Sequence, residues 1–215
     1  MKSLWFRSAP VKDLIIVRKA LSNETCKLLA SQFRMSRTIV CNKNPQLYYN
    51  GDRTVHKSFS WYAPLCFESL ADTLIKDILE KKIREKLYVT YSYGRISYNG
   101  AILPKHIDRG ESEYAVSCLI DTDRNWPIYF KVNGKDKKLK QEIGDIVIYK
   151  GTELEHWRNP FLGTEQIGAF MFYVSEKNKH LKFDRRPFLG HPYLPKGEMD
   201  PHEVSDTEPP CRVKI

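Results

Sequence analysis

The hydrophobic and polar positions divide the chain into a helical first part and a strand-rich second part. From Tyr88 to Val174 the apolar residues come in short runs separated by turn-forming residues, a pattern typical of β-strands. Asn133-Gly134 predicts a tight two-residue hairpin turn, flanked by the lysine-rich segment 131–140. The predicted strands cover residues 88–98, 101–106, 114–121, 127–132, 138–140, 145–149 and 166–174.

The part before Tyr88 carries helical periodicity. A strand is predicted over 11–19, and Ser22 is placed to cap a helix whose apolar residues recur at helical spacing through Phe33. A second amphipathic helix is predicted from Pro64 to Leu87. Residues 36–60 lack clear periodicity, and we expect the Tyr-, Asn- and Trp-rich segment 44–62, with a turn at 48–52, to form a lid that selects the substrate.

Two helices followed by seven short strands predict an α+β, mainly β fold, an antiparallel sandwich or barrel with helices on one face. The length suits a single domain over residues 1–215. Within it we expect helical support at about 11–87, a core at about 88–174 and an irregular extension at about 175–215. Ligands from different strands would meet at the mouth between the two sheets.

Composition restricts the compartment and the partners. No apolar run approaches the roughly 20 residues that cross a bilayer, and the N-terminus has no signal-peptide core. Five scattered cysteines indicate reduced thiols, so a cytoplasmic protein without a membrane partner is expected. The net charge of +9 permits a nucleic-acid or other anionic partner without demonstrating one.

Three residues offer metal ligands. His106 and Asp108 stand two positions apart, so on an extended strand their side chains point to the same side. His156 lies a few residues beyond the apolar run 146–149. Two imidazoles and one carboxylate form the facial triad that suits Fe(II) with positions left open, and zinc is the alternative. The other histidines are interpreted as surface or structural residues: His56, His180, His191 and His202.

At these residues the chain resembles the 2-oxoglutarate- and Fe(II)-dependent dioxygenases, especially the prolyl-4-hydroxylase-like branch. The resemblance runs from about Leu14 to Val174 and includes Gly144-Asp145 before a strand and the closing strand from Gln166. It implies a double-stranded β-helix, a cupin-like jelly roll with N-terminal helices packed on one sheet. It also implies Fe(II) on His106, Asp108 and His156, with 2-oxoglutarate and O2 as co-substrates.

The resemblance also suggests residues that would bind the co-substrate. The family usually carries a Lys or Arg for the far carboxylate of 2-oxoglutarate at the place that Glu165 or Gln166 takes here, and Gln166 can donate a hydrogen bond but brings no charge. Arg158 is the best replacement if it points inward beside His156, whereas the turn at Asn159-Pro160 would leave it exposed. Tyr98 and Ser117 could add hydrogen bonds, or serve as core residues. Weaker cation candidates are Arg95 and Lys105.

The family implies hydroxylation of a C–H bond with release of succinate and CO2. The carboxylate at Asp108 favours oxygen transfer over halogenation, because related halogenases carry a small residue there. A peptidyl, amino-acid or small-metabolite substrate is expected. Two alternatives stay open, a nucleic-acid base demethylase and a non-catalytic cupin-like metal-binding protein.

Overall fold

The computed structural model describes residues 14–43, 45 and 54–183. The predicted turn at 48–52 lies outside these residues, as do His191, His202 and most of the expected C-terminal extension. Within the described residues, ten strands form two antiparallel sheets, and helices cover the larger sheet. The strands are β1 Leu14–Val17, β2 Ser58–Tyr62, β3 Leu87–Tyr98, β4 Leu103–His106, β5 Tyr114–Thr122, β6 Ile128–Val132, β7 Lys135–Leu139, β8 Ile146–Lys150, β9 His156–Arg158 and β10 Glu165–Ser175.

The two sheets face each other across the interior. The larger sheet has the strand order β1-β8-β5-β10-β3-β2, and the smaller has the order β4-β9-β6-β7. Chain neighbours repeatedly lie in different sheets, which is the winding of a jelly roll and confirms the predicted fold class. The β6–β7 hairpin turns at Asn133-Gly134, both with positive φ, as the Asn-Gly pair predicts.

The helices lie on the outer face of the larger sheet. Helix α1 (Asn23–Lys43) begins after Ser22, whose hydroxyl accepts the N–H of Thr25 as an N-cap. It is longer than predicted, because Val40 and Cys41 pack against the core and continue the buried stripe. The predicted second helix is divided into α2 (Leu65–Leu70), a π-helical turn (Ala71–Ile75) and α3 (Lys76–Ile83).

Because side chains alternate in direction along the central strands, the larger sheet has two different faces. On β10, Ile167, Ala169 and Met171 pack beneath the helices in the main hydrophobic core. The alternate residues Phe170 and Phe172 face the smaller sheet. One face of the larger sheet therefore builds the core, and the other forms one wall of the space between the sheets.

Two short strands complete the sheets. Strand β2 pairs with β3, so residues 58–62 form a regular edge of the larger sheet, although the sequence there has no clear periodicity and is compatible with either a loop or a hairpin. Strand β9 pairs with both β4 and β6, and its first residue is His156. Within the described residues, no helix combines the length and the hydropathy needed to cross a membrane.

Candidate metal centre

The structure brings His106, Asp108 and His156 together. His106 ends β4 and stands directly opposite His156 in the β4–β9 register, so pairing of the two strands sets the two rings side by side. Their ring centroids are 4.2 Å apart. Asp108 Oδ1 lies 3.5 Å from His106 Nε2 and 3.8 Å from His156 Nε2. One ligand atom from each residue falls within 4.8 Å of the others.

Both imidazoles are held in the tautomer that binds metal through Nε2. His106 Nδ1 lies 2.9 Å from the carbonyl oxygen of Pro104, and His156 Nδ1 lies 2.9 Å from that of Leu154. A carbonyl oxygen only accepts, so each neutral ring carries its proton on Nδ1. The Nε2 lone pairs are thereby aimed at the common point, the arrangement that supports metal-binding histidines in proteins.

Asp108 is oriented by the backbone of Gly151. The Asp108 N–H donates to the Gly151 carbonyl oxygen at 2.8 Å. A Cβ on Gly151 would lie 2.5 Å from Asp108 Oδ2 and would also overlap the carbonyl oxygen of Ser112. Oδ2 is buried without a hydrogen-bond partner in the described structure, and a buried carboxylate oxygen left unpaired is costly. A cation at the triad would offset that cost.

The pKa values of the two histidines are shifted in opposite directions. Burial lowers the pKa of His156, and the Asp108 charge only partly opposes this. For His106, burial also lowers the pKa, but hydrogen bonds to Asp108 and to the Pro104 carbonyl outweigh it and leave the pKa raised. A carboxylate with two imidazoles suits Fe(II), so the residues present fit the metal that the resemblance implies.

A cavity of about 260 Å³ opens beside the triad. Its far wall is the inner face of the larger sheet, where aromatic rings stack in a continuous row. Tyr91 stacks on Phe172 with centroids 4.2 Å apart, and Tyr93 stacks on Phe170 at 4.8 Å. Tyr62 of β2 extends the row at 5.5 Å from Tyr91. These rings give the cavity an apolar wall directly opposite the three ligands.

Two buried arginines, one from each sheet, lie near enough to each other to interact electrostatically. Arg95 of β3 lines the cavity, and its guanidinium lies 5.2 Å from the ring centroids of both Tyr93 and Phe170. Arg158 of β9 is buried on the same side as His156 and forms no ion pair with any carboxylate that the structure describes. Burial, with repulsion from Arg95, lowers the pKa of Arg158 to about 10.

Arg158 is held by neutral acceptors. It donates to the Trp126 carbonyl oxygen and, at 3.1 Å, to Gln141 Oε1, with Ser117 Oγ at 3.4 Å. Gln141 donates in turn to the Ser117 carbonyl oxygen at 2.9 Å. Sequence reasoning missed Gln141, because it lies outside any strand and no motif marks it. Gly151 was missed for the same reason.

The remaining candidates divide between the two faces of the larger sheet. Tyr98 points toward α1, where its hydroxyl accepts from Arg37 at 2.9 Å, and it is not among the residues that line the cavity. Gln166 is buried on the opposite face of β10 from Ile167, and its Oε1 has no partner in the described structure. Lys105 is exposed, with Nζ 4.1 Å from the Trp157 ring centroid, and does not line the cavity.

Segment 44–62 is described only in part. Residues 44 and 46–53 lie outside the described residues, so the lid stays a prediction there. Thr54, Ser60 and Tyr62 line the cavity, which places the end of this segment at the mouth.

No protein-family model matches the sequence, and no curated protein matches it significantly. Solved structures match over most of the chain. A Pseudomonas putida prolyl-4-hydroxylase is 14% identical with a TM-score of 0.56, covering 76% of this chain and 93% of that one. HygX from Streptomyces hygroscopicus, with nickel and 2-oxoglutarate bound, is 9% identical with a TM-score of 0.60, covering 77% and 84%.

A third similar structure is a Trichoplax adhaerens prolyl hydroxylase in complex with a hypoxia inducible factor oxygen degradation domain peptide fragment. It is 13% identical with a TM-score of 0.59, covering 79% of this chain and 86% of that one. The likeness confirms the predicted fold: the chain has the double-stranded β-helix found in 2-oxoglutarate- and Fe(II)-dependent oxygenases, including prolyl-4-hydroxylases.

Proposed function

We propose that this protein is a 2-oxoglutarate- and Fe(II)-dependent dioxygenase that hydroxylates a C–H bond. The observation that carries the proposal is the convergence of His106, Asp108 and His156, with both imidazoles preset to present Nε2. Three ligands from one side leave room for a chelating co-substrate and dioxygen. The fold supports the same conclusion.

His106, Asp108 and His156 would hold the metal. Bound Fe(II) would supply the redox chemistry that couples O2 to oxidative decarboxylation of 2-oxoglutarate. The reaction balances as R–H, 2-oxoglutarate and O2 giving R–OH, succinate and CO2, with one oxygen atom in each organic product. The protein contributes orientation and a pocket shielded from water.

The arginine pair is our candidate site for the far carboxylate of 2-oxoglutarate. Arg158 is buried and forms no ion pair with any carboxylate that the structure describes, and Arg95 lies near enough to help lower the pKa of Arg158. Arg95 lines the cavity, and Ser117 and Gln141 hold Arg158 from behind. A carboxylate between the guanidiniums would form charge-assisted hydrogen bonds, and it would compensate for the uncharged Gln166.

The primary substrate is proposed to be a peptidyl or amino-acid side chain or a small metabolite. A cavity of about 260 Å³ must also hold the co-substrate, so only a small part of the substrate enters it. The aromatic wall opposite the triad suits an aliphatic side chain or ring. The Trichoplax adhaerens prolyl hydroxylase, which is similar in fold, has a peptide fragment bound in its solved structure, which favours these substrates over a nucleic-acid base.

Succinate release tests the proposal. Anaerobically purified protein is loaded with Fe(II), supplied with 2-oxoglutarate and O2, and assayed for succinate with and without prolyl peptides. We expect slow uncoupled turnover that a substrate accelerates, and none in Asp108→Ala. Wild-type protein that binds Ni(II) but not millimolar 2-oxoglutarate would contradict the enzyme and leave the cupin-like metal-binding alternative.

We further propose a cytoplasmic protein with a single domain over residues 1–215. The four cysteines in the described part of the chain are free thiols, as a reducing compartment permits.

A further inference from the structure

Tyr149 lies against the candidate metal centre, and neither the sequence motif nor the resemblance assigned it a role. It belongs to β8, and its side chain faces the space between the sheets and lines the cavity. Its hydroxyl oxygen is 3.3 Å from His156 Nε2, the atom that would bind the metal. A buried hydroxyl therefore stands beside the coordination position.

The direction of this hydrogen bond follows from the histidine tautomer. His156 Nδ1 donates to the Leu154 carbonyl oxygen, so Nε2 of the neutral ring is an acceptor and Tyr149 is the donor. An ordinary tyrosine hydroxyl is protonated at neutral pH, so Tyr149 has a hydrogen to donate.

A metal bound at His156 Nε2 would occupy the lone pair to which the Tyr149 hydroxyl donates. The tyrosine ring cannot easily move away, because it packs edge-on against Phe130 at a centroid distance of 5.0 Å and against His156 at 4.8 Å. The hydroxyl then needs another acceptor in a buried site, since an unpaired buried donor is costly.

Asp108 is poorly placed to be that acceptor. Its Oδ2 faces the Gly151 backbone, and its Oδ1 lies between the two Nε2 atoms where the metal would bind. Within the described part of the chain, the Tyr149 hydroxyl has no hydrogen-bond partner besides Nε2, so we expect its new acceptor to be an oxygen atom brought in by a ligand of the metal.

We propose that Tyr149 donates a hydrogen bond to a metal-bound oxygen of 2-oxoglutarate and thereby orients the co-substrate. The inference rests on the proposed function, because it names a further co-substrate-binding residue of that site. It predicts that removing one hydroxyl weakens 2-oxoglutarate binding while leaving the three metal ligands intact.

Tyr149→Phe tests the inference without requiring turnover. Calorimetric titration of Ni(II)-loaded protein with 2-oxoglutarate should show binding about tenfold weaker than wild type, as expected for a lost hydrogen bond to a charged group. The Ni(II) affinity of the metal-free variant should stay within about twofold of wild type. In the anaerobic Fe(II) complex, the charge-transfer absorption of bound 2-oxoglutarate should shift, because its oxygen has lost a donor.

Tyr173→Phe is the matched control. It also removes a buried tyrosine hydroxyl from the larger sheet, but that hydroxyl donates to the Ala71 carbonyl oxygen on the helix side. This variant should bind 2-oxoglutarate as wild type does.

Three outcomes would overturn the inference. If Tyr149→Phe had the 2-oxoglutarate affinity and absorption of wild type, the proposed hydrogen bond would be refuted. The proposed function would not be affected. If Ni(II) affinity fell as much as 2-oxoglutarate affinity, the hydroxyl would support the metal ligands Asp108 or His156 and would not bind 2-oxoglutarate. Wild-type protein that fails to bind 2-oxoglutarate would reject the proposed function, and the inference with it.

Discussion

The helix side of the larger sheet and the space between the two sheets differ in how their charged side chains are paired. On the helix side, Glu165 forms ion pairs with Arg34 and Arg37 at 2.7 and 2.6 Å, and Arg37 also donates to Tyr98. In the space between the sheets, Arg158 of the smaller sheet forms no ion pair with any described carboxylate, and Asp108 Oδ2 lacks a hydrogen-bond partner.

Two nearby carboxylates show the same contrast. Glu113 accepts from the Ser175 N–H at 2.9 Å, the Ser175 hydroxyl at 2.8 Å and Asn178 at 3.0 Å. In addition, Lys150 Nζ lies 3.4 Å from Glu113 Oε1. Asp108 has one oxygen aimed at the two histidines and the other unpaired. A fully bonded carboxylate stabilises the fold, whereas an incompletely bonded one marks a site that a ligand completes.

The largest expected effect comes from exchanging these two carboxylates for neutral residues. Asp108→Ala should weaken Ni(II) binding on the order of 100-fold or more, because a ligand is removed, with little loss of stability. Glu113→Gln should retain Ni(II) binding and lower the free energy of unfolding by about 1–3 kcal/mol. Calorimetry and urea denaturation measure the two quantities. A strongly destabilised Asp108→Ala would contradict the contrast.

Gly151→Ala should come next in size. The added Cβ overlaps Asp108 Oδ2 and the Ser112 carbonyl oxygen, so the carboxylate must rotate away from the two histidines. We expect Ni(II) affinity to fall about 10- to 100-fold, the range found for groups that orient metal ligands. Gly134→Ala is the control: its Cβ meets nothing within 4 Å, and its φ of +75° should cost stability alone. Equal metal affinities in the two variants would refute the role of Gly151.

An arginine from each of the two regions gives the third comparison. Arg158→Met should weaken 2-oxoglutarate binding to the Ni(II)-loaded protein by about tenfold or more, because a charge-assisted contact is lost. Arg37→Met should leave that affinity unchanged and lower stability by about 1 kcal/mol, because Glu165 loses one of its cations. If 2-oxoglutarate bound Arg158→Met as tightly as wild type, Arg95 would carry the site alone.

The smallest effect concerns acid stability. Burial alone raises the pKa of Glu113, but the donors from Ser175 and Asn178 and the Lys150 charge outweigh it and hold the pKa below its usual range. A depressed carboxyl pKa contributes stability above the unfolded value, about 4.5, and that stability is lost as the pH falls through the folded pKa. Urea midpoints measured at several pH values should fall less steeply below about pH 4.5 in Glu113→Gln than in wild type. Parallel curves for the two proteins would contradict this.

Much of the fold follows from local patterns. The alternation in β3 and β10, the Asn133-Gly134 turn and the Ser22 cap each depend on near neighbours in the chain, so all were predictable. Strand β2 was not predicted, because its five residues are stabilised by pairing with β3 and not by a pattern of their own.

The sequence by itself determined the ligand types, because His-x-Asp on a strand and a His after a later strand restrict the chemistry. Only the tertiary structure decided which polar residues share their space. From the sequence, Tyr98 and Arg158 are equally plausible co-substrate ligands. In the fold, Tyr98 points toward Arg37 on the helix side, whereas Arg158 is buried on the same side of β9 as His156. Gly151 and Tyr149 gain their positions from strand pairing across long chain separations, which local periodicity does not encode.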